Sequence, residues 1–344
     1  MRANVAVALI SVFVAAHAWA VDMISNPAPA SPSPVAPAAE SFPAKIKDEF
    51  FEAFDGPLMV QGILEAPFTY IYLGDPHIKG VVYAPSFAPR LGARVLIKNL
   101  GATMTFALPI PSSEKYRRGT SPQTDVILNS YWRQNAVDVY YQRYRSFYVS
   151  SPGRELSVHK PARYPQLPDA MLASYGANWY YVFRPTTFSL KAAFDYTEFQ
   201  RQSGGSWLIN PFYNHLEISL GNKFVPGIGD ESIKGIPNLA SGRFDTVGSS
   251  IGYGYSYIAG RFFASGVLGW GPGLQIQHVQ RSDGDDGRSW NVAWKINVNA
   301  SLGWNSVKYV GGLRLLFDSL SSRVADREVA ANLVLGQIFF GGRF

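Results

Sequence analysis

Apolar and polar residues alternate with a period of two through most of the chain after residue 68. In the clearest run, 290–304, Trp290, Val292, Trp294, Ile296, Val298, Ala300, Leu302 and Trp304 take one side, and Asn291, Ala293, Lys295, Asn297, Asn299, Ser301 and Gly303 take the other. Successive side chains of a strand point to opposite faces, so this run is a strand with one oily face along its whole length. Its fifteen residues, at about 3.3 Å each, reach roughly 50 Å, which suits a tilted strand that crosses a bilayer and projects beyond it. The tryptophans at its two ends match the aromatic girdles of a membrane barrel.

Other windows repeat the pattern. Phe188, Leu190, Ala192, Phe194 and Tyr196 oppose Ser189, Lys191, Asp195 and Thr197, and Val247, Ile251, Tyr253, Tyr255 and Tyr257 oppose Gly248, Ser250, Gly252, Gly254 and Ser256. Phe262, Ala264, Leu268, Trp270, Leu274 and Ile276 continue the series against Gly269, Gly271, Gly273, Gln275 and Gln277. A soluble sandwich also alternates, but it rarely needs so many strands of such length. Short turns are expected near 99–101, 134–135, 185–186, 259–260 and 305–306, mostly alternating with longer loops such as 150–168 and 281–288. Tight turns on one side and wide loops on the other are the habit of outer-membrane barrels. Thirteen strand windows can be counted, whereas a barrel with both termini in the periplasm needs an even number. Alternation fails between 201 and 243, and Pro211 cannot donate to a ladder, so twelve strands are expected, with fourteen as the other option.

The segment before the barrel divides in three. Arg2, an apolar run from Val5 to Ala16 and Ala18-Trp19-Ala20 read as a secretory signal over 1–20, cleaved after Ala20 and too short for a spanning helix. Residues 21–43 form a linker rich in Pro, Ala and Ser. From Phe42 onwards, Phe42, Ile46, Phe50, Phe51 and Phe54 fall at helical spacing among Lys45, Lys47, Asp48, Glu49 and Glu52, which predicts a short amphipathic periplasmic helix in 44–66, leaving 67–344 for the barrel.

Composition agrees with this reading. The chain is 14% aromatic with 32 glycines, and its mean hydropathy is -0.03. Strands that alternate between lipid and lumen average out in this way, whereas membrane helices do not. There is no cysteine, which removes disulfides, thiolate metal sites, a catalytic thiol and a lipid anchor on cysteine. The net charge of +6 falls to +5 when Arg2 leaves with the signal, and the bases are scattered without a nucleic-acid motif. The implied class is an all-β, transmembrane antiparallel up-and-down β-barrel of 12 to 14 strands in the outer membrane of a Gram-negative bacterium, embedded in its lipid bilayer.

Phe344, preceded by Phe339 and Phe340, is similar to the terminal aromatic signal read by the outer-membrane assembly machinery, although Gly342 departs from the usual hydrophobic residue. Three stretches resemble an uncharacterised barrel family, the domain-of-unknown-function family 4421. They are the run from Tyr140 through Arg143, Tyr144, Arg145 and Ser146 to Tyr148, the run from Phe188 to Phe194 leading to Gln202-Ser203-Gly204-Gly205-Ser206, and Gly252-Tyr253-Gly254-Tyr255-Ser256-Tyr257. Members of that family usually carry Gly where Ser146 stands. The resemblance implies a barrel without an established activity.

No constellation completes an enzyme, a cofactor site or a metal site. The histidines after the signal are His77, His159, His215 and His278. His278 lies in a context similar to that of the outer-membrane phospholipases, but Gln280 stands where their serine nucleophile would be. Asp283, Asp285 and Asp286 suit a solvated turn better than a calcium loop, and Gly269, Gly271 and Gly273 lie on a strand with no helix following to cradle a phosphate. Extrapolated alternation puts Arg90, Arg94, Lys98, Arg133, Lys191, Lys295 and Arg314 in the lumen against Asp125, Asp195 and Asp318. Such an excess of base biases an open pore towards anions, so a passive channel for small polar solutes is the leading expectation. The alternative is a closed lumen packed by side chains, with the amino-terminal helix or the loops binding a partner; an outer-membrane lipid enzyme ranks below both. Arg143 and Arg145 share a face with both Val139 and Phe147, and alternation assigns them no clear side.

Overall fold

The computed structural model describes residues 50–54, 58–74, 81–151, 163–220, 239–281, 286–324 and 327–344. The signal and linker segments, residues 44–49 of the expected helix, His77, His159, Asp283 and Asp285 lie outside the described residues. The strands in chain order are β1 (Phe51–Ala53), β2 (Leu58–Gly74), β3 (Val81–Pro85), β4 (Arg90–Ile97), β5 (Leu100–Ala107), β6 (Gln123–Tyr131), β7 (Asn135–Ser151) and β8 (Gln166–Val182). They continue as β9 (Glu198–Gln200), β10 (Gly204–Ser219), β11 (Leu239–Ala259), β12 (Phe262–Arg281), β13 (Asp286–Asn305), β14 (Tyr309–Val324) and β15 (Arg327–Arg343). One short helix, α1 (Ser112–Arg118), sits between β5 and β6.

All but β1 and β9 belong to one antiparallel sheet, and it closes on itself because β15 pairs β2 from Arg343↔Met59 to Glu328↔Gly74. Every strand of this sheet therefore has two neighbours, the condition for crossing lipid, although β5 and β6 pair along only part of their length. The number of rows changes along the barrel. β3 and β4 both pair β2, one against Ile71–Leu73 and the other against Leu58–Glu65. Beyond β4 come β5, β6 and then β7, whereas β3 pairs β7 directly. The wall thus has twelve rows at the end that carries Leu58 and Phe344, and ten at the other. Short turns at 98–99, 132–134, 260–261 and 306–308 lie at the twelve-row end.

Side chains obey the alternation. On β13, Ala293, Lys295, Asn297, Ser301 and Asn305 are buried inside while Trp290, Trp294, Ile296, Leu302 and Trp304 are exposed outside. The outer tryptophans Trp270 and Trp294 stack 4.8 Å apart.

Four expectations change. The described part of 44–66 is strand, not helix: β1 pairs β9, and the barrel begins at Leu58 rather than residue 67. Residues 188–196 are no barrel strand; Lys191–Asp195 is a π-helical turn inside the lumen, and the turn at 185–186, closed by Thr187 N donating to Arg184 O (3.1 Å), leads into that inward segment rather than into the next barrel strand. The strand containing Pro211 is real. Its ladder with β8 skips residues 210 and 211, and Asn210 Nδ2 donates to Trp179 O (3.2 Å), supplying a donor where proline has none. Lastly, Ser146 has φ +61 and marks a bulge between Arg145 and Phe147. The extra residue reverses the facing of the rest of β7, so Tyr144 and Phe147 both point inward while Arg143 and Arg145 point out.

A left-handed conformation costs a residue with a side chain roughly 1–2 kcal/mol and glycine almost nothing. Ser146→Gly should therefore raise the unfolding free energy by about 1 kcal/mol, and Ser146→Val should lower it by a similar amount, read from denaturant midpoints of the refolded barrel.

Candidate functional site

The lumen is where the fold gathers its polar chemistry, and three tiers follow one another along it. At the twelve-row end, residues 184–201 turn inward and cross it. Phe188, Ser189, Phe194, Asp195 and Tyr196 on this plug are each at most 1% exposed. The small inward face of β11 makes room for it, since a Cβ on Gly254 would lie 2.4 Å from the Phe188 ring. Tyr196 stacks on Phe339 of β15 (4.6 Å) and packs against Phe263 of β12.

Polar bonds then fasten the plug to the wall. Arg94 of β4 donates to Phe194 O (2.9 Å) and pairs with Asp195, which also accepts from Asn129 of β6 (2.9 Å). Ser301 of β13 donates to Ala193 O (2.8 Å), and Arg343 of β15 donates to Tyr196 O. Lys191 reaches Asn99 (2.9 Å), and Arg133 pairs with Glu198 (3.2 Å). Beneath the plug, β1 adds a two-stranded ladder to β9, and Glu52 takes ion pairs from Arg201 (3.2 Å) and Arg261 (3.8 Å).

Above the plug lies a cavity of about 170 Å³, lined among others by Glu65, Arg90, Arg94, Asp125, Asp138, Arg314 and Asp318. Its charges are largely matched. Arg90 pairs with Asp125 and lies 3.8 Å from Glu65, which also accepts from Thr105 (2.6 Å) and Gln337 (3.0 Å). Lys295, 2% exposed, contacts Asp318 (3.2 Å), Asn178 (2.8 Å) and the Phe212 ring. Tyr131 donates to Asp138 (3.2 Å), and Arg314 donates to Asn299 (3.0 Å) and lies over Phe194.

The ten-row end holds a third tier. Ile71, Leu73, Tyr83, Phe147, Val149, Leu172, Leu216, Ile218 and Phe244 point inward from six strands and form one buried apolar cluster.

Arg90, Arg94, Asp125, Lys295, Arg314 and Asp318 thus sit on the inner wall, whereas Lys191 and Asp195 belong to the plug. Arg133 lies in the 132–134 turn facing the plug, and Lys98, exposed in the turn after β4, is outside the lumen altogether. Glu65, Asp138 and Glu198 are acids that the extrapolated alternation did not place inside. The first two do fall there once β2 starts at Leu58 and the Ser146 bulge is allowed for. With them, the excess of base disappears from the cavity lining.

One ionisable cluster faces outward instead. His215 Nδ1 lies 2.7 Å from Asp245, Tyr213 donates to the same carboxylate (2.9 Å), and Tyr175 stacks on the imidazole. The outward residues beside it include Ala173, Glu217, Arg243 and Val247, with no hydroxyl or thiol side chain among these four. His278 is also exposed on the outer face. Among the described residues there is no group of three or more His, Asp or Glu that could hold a metal ion.

A family model described as a domain of unknown function (DUF4421) matches residues 48–344. No curated protein matches the chain. Among solved structures it is similar to the outer-membrane protease OmpT from Escherichia coli, at 8% identity and a TM-score of 0.35, over 85% of this chain and 98% of that one. It is also similar to the P. putida toluene transporter TodX (7% identity, TM-score 0.26, 84% and 90% covered) and to OmpT of Vibrio cholerae (11%, 0.27, 86% and 99%). Identities this low leave those proteins' activities their own.

The buried Arg94–Asp195 pair yields a direct test. Removing the guanidinium strands a carboxylate with no exposed surface, a loss of about 3–5 kcal/mol for such pairs. Arg94→Ala should unseat the plug, seen as tryptic cleavage at Lys191 that the native protein resists.

Proposed function

The chain belongs to the DUF4421 family, and we propose that this member is a sealed outer-membrane barrel, working through what it binds rather than through what it conducts. The observation that carries the reading is the plug: residues 184–201 cross the wide end and are bonded to β4, β6, β13 and β15 at once. The apolar cluster at the narrow end supports it, because closely packed aliphatic and aromatic side chains disfavour the passage of a polar solute. Export on segment 1–20 with cleavage after Ala20, and handling of Phe344 by the barrel assembly machinery, belong to the same reading. Its partner-binding parts are β1, held on the plug at the terminus-bearing face, and the long connections at the opposite end.

A passive channel for small polar solutes is the second reading, favoured by the charged cavity midway along the axis. Conductance separates the two. Refolded protein whose insertion is verified by protease protection should leave a planar bilayer silent. Steady ohmic steps would overturn the sealed reading, and a reversal potential favouring anions would bring back the anion-selective pore.

A further inference from the structure

The wall carries a notch that the lumen does not explain. β5 and β6 pair at only four positions, from Leu100↔Ser130 to Thr103↔Ile127. Yet β5 stays on β4 as far as Arg90↔Ala107, and β6 is already on β7 at Gln123↔Tyr144. Met104–Ala107 and Gln123–Val126 therefore face each other with no ladder between them. The inner side of this notch is closed by Arg90, which reaches Asp125 and Gln123, and by Thr105 bonded to Glu65. Its outer lips are apolar: Met104 is 66% exposed and Phe106 68%, with Leu108, Val126 and Leu128 beside them.

Beside the notch and just beyond it, the outer face turns basic. Arg143 and Arg145 point outward from β7, opposite Thr124 and Pro122 respectively. α1 lies on the same outer surface, because Arg118 stands over the outward ring of Tyr148 (5.8 Å) and Arg117 over Tyr164 (5.6 Å). Arg163 stands over Tyr116, and Lys115 is exposed. Against these six bases stand Glu114, already paired with Arg117 and Arg118, and exposed Asp169. The corresponding outer edge of β10 to β12 mixes signs instead, with Glu217 and Asp245 beside Arg243.

We propose that the notch and its basic collar form a binding site for a phosphorylated, multiply acylated lipid of the outer leaflet. Acyl chains lie along Met104, Phe106, Val126 and Leu128, and the phosphate meets Arg118, Arg143 and Arg145. Charge complementarity selects the head, since arginine clusters beside a membrane attract anionic lipids and its planar fork suits phosphate. The unladdered backbone edges select the linkage region, because peptide groups facing lipid need partners, which ester, amide or hydroxyl groups of a bound lipid provide. With the chain termini on the periplasmic side, α1 stands at the outer leaflet. The site lies on the outside of the wall and does not depend on whether the lumen conducts.

The test uses the whole barrel in nanodiscs of zwitterionic phospholipid, titrated with a phosphorylated glycolipid bearing several acyl chains and read by native mass spectrometry. The wild type should retain one glycolipid. Arg118→Gln/Arg143→Gln/Arg145→Gln should weaken retention on the order of 100-fold, each base near a lipid surface contributing about fivefold. Phe106→Ser should weaken it through the chains alone. Arg243→Gln/Arg288→Gln, a control on another part of the outer face, should leave it unchanged, and circular dichroism should show every variant folded. Equal retention by the triple variant, or an equal loss in the control, overturns the site. Displacement by inorganic phosphate at matching concentration overturns the lipid as its occupant.

Discussion

Ring closure is the constraint on which everything else in this molecule depends. Lipid offers peptide groups no partner, so a sheet can cross it only if its first and last strands meet. The ladder between β2 and β15 achieves this over the full length of both strands. Closure then fixes the face of every side chain, since a slip of one residue would turn the oily face inward. The exposed tryptophans of β13 and the buried Lys295 and Asn297 are two results of that single condition.

A closed ring encloses space, and the space has to be filled differently at its two ends. Ten rows make a narrower cylinder than twelve. At the ten-row end, inward side chains such as Tyr83, Phe147 and Phe244 pack into one apolar cluster. At the twelve-row end a piece of backbone is needed, and a buried backbone brings polar groups that must be bonded. Arg94, Asn129, Ser301 and Arg343 meet that demand for the plug. Between the two fillings remains the cavity, where ion pairs such as Lys295–Asp318 satisfy the charges. The two added rows also give the wall its parted seam, because β5 and β6 are the strands inserted between β4 and β7.

Legibility in the sequence depends on whether a segment has two different faces. Strands with lipid on one side and lumen on the other, such as β11 to β13, alternate plainly and could be read residue by residue. The plug could not. Ser189, Ala193 and Asp195 are as buried as Phe188 and Phe194, so its apparent alternation carries no information about a strand. β1 is similar: packed on the plug, it is too short to show a period, and Phe51 with the flanking Phe50 and Phe54 imitates helical spacing. The inner-wall positions of Arg90, Arg94 and Lys295 came from local alternation. That Arg94 meets Asp195, 101 residues away, is a property of the closed ring. Ser146 lay between the two cases: a single left-handed residue hid the facing of Arg143 and Arg145.

The short ladder between β1 and β9 has a mechanical consequence. Chain arriving from the amino-terminal side is fastened to the plug at Phe51–Ala53 before it enters the wall at Leu58. Tension on that tether is delivered first to three backbone pairings and the two ion pairs of Glu52, and only afterwards to the barrel. The leading end of the polypeptide is in this sense a drawstring tied to the stopper, and a tug from below loads the stopper before it strains a single stave.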